Sequence, residues 1–194
     1  MKVIIIKSKT TNCYLIQSSC GWIIVDAGWP DTLHQFLNIL KQEHVHINDI
    51  KYLIITHFHP DHAGLTENLK DFGINLILHE SQVIFVDKLN TFFKRNPKIN
   101  FKDIEIRNSR IVSSACSRIF LKSVGIDGEI VQTPGHSEDS ISLIIDDCCA
   151  FTGDLPGLSV MELYDDQTIK DSWKLIQSYN VKKIYPAHGE VYTV

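Results

Sequence analysis

Four side chains of the types that bind metal ions lie within six consecutive residues of the sequence. The segment T-H-F-H-P-D-H, residues 56–62, supplies them: His57, His59, Asp61 and His62. Neutral imidazole and carboxylate suit zinc and its first-row neighbours as ligands. In an irregular loop, the first two can converge on one point and the last two on a neighbouring point. Capping a turn does not require so many such residues, so the segment predicts a metal site.

Three further candidate ligands follow at wide spacing. They are His136 in T-P-G-H-S, Asp154 in F-T-G-D-L and His188 in P-A-H-G. Each lies beside a Gly or near a Pro, where the chain can turn sharply and present a side chain from a loop. A single loop His or Asp would carry no weight by itself, so the significance of these three comes from the first cluster.

Together the seven side chains suit two metal ions with one shared ligand, because one zinc ion takes three or four protein ligands. We divide six of them between the two ions as follows: His57, His59 and His136 for the first, and Asp61, His62 and His188 for the second. Asp154 is expected to bridge, since a carboxylate can offer one oxygen to each ion. The expected ions are Zn, with Fe or Mn as alternatives.

Asp26 is a candidate for a supporting role. It follows an apolar strand in the segment V-D-A-G. Its carboxylate could accept an N–H from a ligand His or from a nearby loop and so fix the orientation of that group. The alternative is a turn that closes the strand. The remaining histidines, which show no pattern, are assigned no function: His34, His44, His46 and His79.

Short β-rich runs and amphipathic stretches alternate along the chain and predict the elements that position these residues. Strands are expected at 3–7, 12–17, 22–25, 52–56, 75–79, 129–132, 141–145, 149–151 and 182–184. Helices are expected in the amphipathic stretch that starts at residues 30–31 and runs to about 43, at 65–72, after residue 113 to 122, and at 168–179. Mixed strand and helix order predicts a layered α/β fold, here as a single domain over residues 1–194.

Residues 81–110 differ in composition from the rest of the chain. They hold seven basic and three acidic residues, with four Phe interleaved. A helix and loop with a solvated charged face is the favoured interpretation. A lid that meets an anionic substrate is the alternative.

Composition excludes several classes of protein. The net charge of −4 argues against a nucleic-acid binder that relies on a basic field. Five Cys without a C-x-x-C pair argue against a disulfide framework, and the adjacent Cys148 and Cys149 are expected to be buried in a strand. The apolar run of residues 3–6 is too short for a signal peptide or a membrane span. We therefore expect a cytoplasmic protein without a membrane or nucleic-acid partner.

The order of the motifs resembles that of the metallo-β-lactamase superfamily of hydrolases. The resemblance rests on H-x-H-x-D-H, T-P-G-H, G-D and P-A-H-G, together with the early N-C-Y-L and V-D-A-G, and extends from about residue 12 to residue 189. It implies a four-layer αβ/βα sandwich of two mixed β-sheets flanked by helices. It also implies a dinuclear site in the cleft between the sheet ends, with the ligand assignment given above.

Differences between this sequence and the patterns of individual subfamilies narrow the range of expected activities. The lactam-hydrolysing members generally lack an Asp at the position of Asp154, and the diiron flavoproteins carry Glu at the position of His59. Glyoxalase II-like enzymes and N-acyl homoserine lactonases share the whole ligand set, although the former add a C-terminal extension and most of the latter are longer. The superfamily's nucleases add further domains. A minimal glyoxalase II-like or lactonase-like hydrolase is therefore expected.

The expected reaction is attack of a metal-activated water on an ester, thioester or lactone carbonyl of a small molecule. Asp61 and Asp154 would orient that water and move its proton. Three alternatives stay open: a persulfide dioxygenase-like oxidoreductase with one iron, a phosphodiesterase, and a non-enzymatic binding protein that the metal only stabilises. Tyr164 is either a donor to a substrate oxygen or a packed aromatic. The oligomeric state stays open.

Overall fold

Two β-sheets pack against each other, and helices cover their outer faces. The computed structural model describes residues 1–161 and 163–194. Within them, the strands of the first sheet are β1 (Val3–Ser8), β2 (Thr11–Ser18), β3 (Gly21–Val25), β4 (Ile50–Ile54), β5 (Asn75–His79) and β6 (Arg110–Val112). The strands of the second sheet are β7 (Gly128–Gln132), β8 (Ile141–Ile145), β9 (Cys149–Gly153), β10 (Lys183–Pro186) and β11 (Tyr192–Thr193).

The α-helices connect and cover these strands. They are α1 (Leu33–Gln42), α2 (Pro60–Ala63), α3 (Thr66–Lys70), α4 (Val83–Lys94), α5 (Ser114–Ser123) and α6 (Gln167–Ser178). Apolar residues at helical spacing bury one side of each longer helix; in α6 these are Ile169, Trp173 and Ile176. No helix of the described residues is both long enough and apolar enough to cross a bilayer.

Both sheets are mixed. The first has the order β1-β2-β3-β4-β5-β6, antiparallel through β3 and parallel from β3 to β6. The second has the order β11-β10-β9-β8-β7, in which only β9 and β10 pair in parallel. This confirms the expected sandwich of two mixed sheets.

Alternating side chains along β2 show how the layers are divided. Cys13 and Leu15 pack in the apolar layer under α1 and α4, whereas Tyr14 and Ile16 pack between the two sheets. This is the period of two that a strand buried on both faces requires. A third apolar cluster lies between the second sheet and α6.

The observed elements depart from the expected ones at a few places. The strand expected at 52–56 is β4, Ile50–Ile54, so two residues separate it from His57. The short α2, β6 and β11 had no sequence signal. Cys148 corrects an expectation: it is exposed, because it ends a turn and the strand begins at Cys149, which is buried.

Strand ends bring the site residues to one edge of the sandwich. β3 ends before Asp26, β4 ends shortly before His57, and the parallel strands β9 and β10 end at Gly153 and Pro186. Carboxyl ends of parallel strands meet at the same edge of a sheet, which is where open α/β sheets bind their ligands. The cleft between the two sheets at this edge is therefore the place to look for a site.

Candidate metal centre

The structure brings all seven candidate ligands together in this cleft. Their ligand atoms form three groups in which every pair lies within 4.8 Å: His57, His59 and His136; His57, His62 and Asp154; and Asp61, His62 and His188. We call His57, His59 and His136 the His57 group, and Asp61, His62 and His188 the His62 group. Asp154 lies between the two groups.

The His57 group places three ring nitrogens at the corners of a small triangle. His59 Nδ1 lies 3.1 Å from His57 Nε2 and 3.0 Å from His136 Nε2. Nitrogens bound tetrahedrally to one zinc ion at 2.0–2.1 Å lie about 3.3 Å apart. The triangle therefore has the size that a single first-row ion requires.

The His62 group is equally close. His188 Nε2 lies 3.2 Å from Asp61 Oδ2, and His62 Nε2 lies 3.5 Å from the same oxygen. Asp154 directs Oδ1 to this group, 3.3 Å from His62 Nε2, and Oδ2 to the other group, 3.5 Å from His136 Nε2. One carboxylate thus presents a different oxygen to each set of ligands, which is the geometry a bridging ligand needs.

Outer partners fix the ligands of the His62 group. His62 Nδ1 donates to Asp26 Oδ2 at 2.9 Å, which leaves Nε2 directed at the cleft. His188 Nδ1 donates to the carbonyl oxygen of Thr10 at 3.0 Å, and Thr11 Oγ1 donates to Asp61 Oδ2 at 3.0 Å. Such contacts select the tautomer and ring orientation of a metal-binding imidazole.

Asp26 therefore occupies the place expected for a supporting residue. It is 1% exposed and has a φ of +63°, a conformation that non-glycine residues adopt mainly at constrained sites. Its Oδ1 also accepts the backbone N–H of Thr56 at 2.8 Å, directly before the histidine segment. Gly153, with a φ of +57°, lies so close that an added Cβ would be 2.6 Å from Thr56 Oγ1. The carboxyl ends of β3, β4 and β9 are therefore packed closely against one another.

Sequence reasoning missed two residues that hold the histidine segment. Asp139 Oδ2 accepts the backbone N–H of Phe58, between His57 and His59, at 2.7 Å. Gln82 Nε2 donates to the carbonyl oxygens of Ile55, Thr56 and Asp139 at 2.8, 3.3 and 3.2 Å. Both residues are buried. In the sequence, Asp139 looks no different from its neighbour Glu138, so no signal could have singled it out.

The histidines without an assigned function lie outside the three ligand groups. His79 is buried, and its two ring nitrogens contact Ser81 Oγ at 2.8 Å and Ser114 Oγ at 3.1 Å. Tyr164 is 49% exposed in the loop before α6, so it is not a packed core aromatic.

Two atoms of the cluster test whether a metal would fit. His62 Nε2 and Asp154 Oδ1 are buried and face each other at 3.3 Å, and neither makes a hydrogen bond of good geometry among the described residues. Buried polar atoms are rarely left unsatisfied in folded proteins. A cation between these lone pairs would satisfy both atoms, and the imidazole and carboxylate set matches divalent first-row ions.

Burial and neighbouring charges shift the pKa values of the buried histidines in different directions. Burial lowers the pKa of His57, and the neighbouring imidazoles lower it further, so its ring is neutral and able to bind a metal. Burial also lowers the pKa of His136. For His62, burial lowers the pKa, but the charges of Asp26 and Asp154 outweigh burial and raise it to about 10. A metal ion that binds at Nε2 would have to displace the proton held there.

The sequence was compared with family models and with known proteins, and it matches one family over most of its length. Residues 8–188 match the family model of the metallo-beta-lactamase superfamily. The chain belongs to this superfamily. It is 30% identical over 191 residues to the beta-lactamase-like protein 2 homolog of Caenorhabditis elegans, covering 93% of this chain and 56% of the relative. It is 28% identical to a probable metallo-hydrolase of Methanocaldococcus jannaschii, covering 94% and 89%.

The superfamily members differ in length. The chain spans 48–59% of several curated relatives that it matches, among them the Lactamase-like protein aptB of Emericella nidulans, of which it covers 52%. The activities of those longer proteins therefore cannot be transferred directly to this chain.

Solved structures confirm the fold. TTHA1623 in a di-iron-bound form superimposes with a TM-score of 0.72 at 17% identity, covering 100% of this chain and 94% of that chain. The metallo-beta-lactamase FEZ-1 of Legionella gormanii gives 0.73 at 17% identity, covering 96% and 76%. At this identity the likeness concerns the fold alone, which is the metallo-beta-lactamase fold.

Proposed function

We propose that this protein is a metal-dependent hydrolase that activates water at a dinuclear site for attack on an ester, thioester or lactone carbonyl. The observation that carries the proposal is the position of Asp154, whose two oxygens face two separate sets of ligand atoms. When bound, two divalent cations lower the pKa of water towards about 7 and polarise the carbonyl oxygen.

The protein's own residues would supply orientation and proton transfer. Asp26 holds His62 in the tautomer that directs Nε2 into the cleft. Burial raises the pKa of Asp154, but its interactions with His62 outweigh burial and keep the carboxyl ionised. Its side chain is 14% exposed at the cleft floor, so it would contact a water there and could pass that water's proton to a leaving group. Asp61, held by Thr11, is the second candidate for this role.

Two findings support a hydrolase over a non-enzymatic binding protein. All seven ligand positions are occupied by metal-binding side chains, which a binding protein that had lost catalysis would not need to retain. A relative aligned over nearly its whole length is described as a probable metallo-hydrolase. The substrate we propose is a small molecule, and the proposed ions are Zn, Fe or Mn.

The test is a hydrolysis panel on protein of measured metal content. Thioesters, lactones and phosphodiesters are offered to the chelated protein and to the protein reloaded with Zn, Mn or Fe. We expect the thioesters or lactones to be cleaved only after the protein has been reloaded with metal. Full activity of the chelated protein contradicts the proposal. One iron per chain with uptake of oxygen would favour the persulfide dioxygenase-like reaction instead.

A further inference from the structure

An apolar groove begins at the candidate metal centre, beside His59. Its volume is about 410 Å³, near the lower end of the range for small-molecule sites. The histidine segment and α4 form most of its walls: Phe58, His59, Pro60, Phe85, Leu89 and Phe92. The two segments are more than twenty residues apart in the sequence, so the groove forms only when the chain folds.

His59 belongs both to the groove and to the His57 group. Its Nδ1 lies 3.0 Å from His136 Nε2, while its ring lines the groove. Phe58 lies between two candidate ligands and also lines the groove. A substrate whose carbonyl lies at the candidate centre can therefore extend directly into the groove.

A second cleft of about 260 Å³ also borders the centre. Its lining mixes apolar groups with ionisable and polar ones, among them Asp154, His188, Glu190 and Tyr192. Ionisable groups favour contact with a polar or charged part of a ligand over a hydrocarbon chain. The groove beside His59 is therefore the better fit for the apolar part of a substrate.

The outer end of the groove carries a residual apolar surface. Phe92 is 46% exposed although the neighbouring Leu89 is 3% exposed. Lys88 also lines the groove, and its Nζ lies 3.9 Å from the centre of the Phe85 ring, a cation–π contact. The groove therefore combines mostly apolar walls with one ammonium group, beside which burial of hydrocarbon is unfavourable.

We propose that this groove binds the apolar acyl chain of the substrate and sets the preferred chain length. The inference rests on the hydrolase proposed above and specifies its substrate class as esters or thioesters of carboxylic acids with extended acyl chains. Each methylene that enters the groove should raise kcat/KM about fourfold, until the chain reaches Lys88.

The test combines catalysis with binding on metal-loaded protein. The first measurement is kcat/KM for thioesters of acetic, butanoic, hexanoic and octanoic acid. The second is the calorimetric affinity for acetate, butanoate, hexanoate and octanoate, which share one head group. Both should increase with chain length in the natural protein.

A matched pair of variants locates the effect. Phe92→Ser removes an exposed apolar side chain from the groove, and Ile84→Ser removes one, 64% exposed, from α4 outside the groove lining. We expect Phe92→Ser to flatten the dependence on chain length in both measurements and Ile84→Ser to preserve it. Circular dichroism of both variants checks that they are folded.

The outcomes separate this inference from the proposed function. Cleavage without any dependence on chain length, or a dependence that Phe92→Ser leaves unchanged, overturns the groove and leaves the hydrolase intact. Carboxylate affinity that rises with chain length, in a protein that cleaves no ester, thioester or lactone, supports the groove and counts against the hydrolase.

Discussion

The two ligand groups of the candidate centre are held in position by different means. In the His62 group, each ligand has a hydrogen-bond partner behind it: Asp26 behind His62, the Thr10 carbonyl behind His188, and Thr11 behind Asp61. In the His57 group, His57 Nδ1 is 3.3 Å from Thr56 Oγ1. The His59 ring contacts the His57 and His136 imidazoles, and His136 Nε2 also lies 3.5 Å from Asp154 Oδ2, but neither ring has an outer partner of the kind that Asp26 provides for His62 among the described residues.

The ligands of the His57 group are positioned mainly through hydrogen bonds to the backbone of their loop. Asp139 and Gln82 fix the loop around Phe58, and that loop carries His57 and His59. One group is therefore oriented through its side chains and the other through its main chain. We expect the two metal-binding steps to respond to different substitutions.

The largest effect is expected from removal of the residue that the two groups share. Asp154→Ala should lower the metal content from two ions towards one per chain. The rate of hydrolysis should fall by more than the roughly 100-fold that loss of an outer partner costs. Mass spectrometry of the metal content under native conditions checks the first point. Two retained ions would refute the bridging role.

A smaller and selective effect is expected from Asp26→Asn. The substitution replaces the charged acceptor behind His62 with a neutral amide of similar size. One of the two metal-binding steps should weaken by roughly 10- to 100-fold, since this is the usual cost of losing such a partner. Competition with a chromogenic chelator measures both steps. Asp103→Asn, at an exposed carboxylate, is the control and should leave both steps unchanged.

Asp139→Ala probes the other group through its backbone. It leaves the buried N–H of Phe58 without an acceptor, which should reduce the free energy of unfolding by about 1–3 kcal/mol. Metal binding should weaken at the step that Asp26→Asn spares. Urea unfolding and the same chelator competition are the measurements. If both variants weaken the same step, the distinction between the groups is wrong.

The smallest effect is expected from Thr11→Val. This nearly isosteric change removes the hydrogen bond to Asp61 Oδ2 and nothing else of similar strength. A typical hydrogen bond contributes about 1 kcal/mol, so affinity at the His62 group should fall about fivefold. Thr10→Val is the comparison, because the Thr10 contact to His188 uses the backbone carbonyl. It should have no effect on either step.

The sequence predicted the ligands and the layered fold for different reasons. Metal ligands must be of a few residue types, so His57 to His62 stand out by composition alone. Strands and amphipathic helices have periodic apolar residues, and most of them were found within a few positions. The four-residue α2 is too short to show a period, and β6 pairs only at the edge of its sheet.

Long-range hydrogen bonds account for most of what was missed. The bond from Phe58 to Asp139 spans 81 positions, and an Asp in a loop has no feature that reveals its partner. Cys148 was expected to be buried beside Cys149, but it lies exposed in the turn before the strand that begins at Cys149. The groove beside His59 depends on how α4 packs against the histidine segment, which no local pattern contains.

The most direct test of the account is an anomalous-scattering map from crystals of the metal-loaded protein. The account predicts two peaks about 3.5–4 Å apart. One should lie within bonding distance of the three imidazoles of the His57 group and the other within bonding distance of the His62 group, with Asp154 touching both. A map without a peak among these seven side chains, or with a peak elsewhere only, would contradict it.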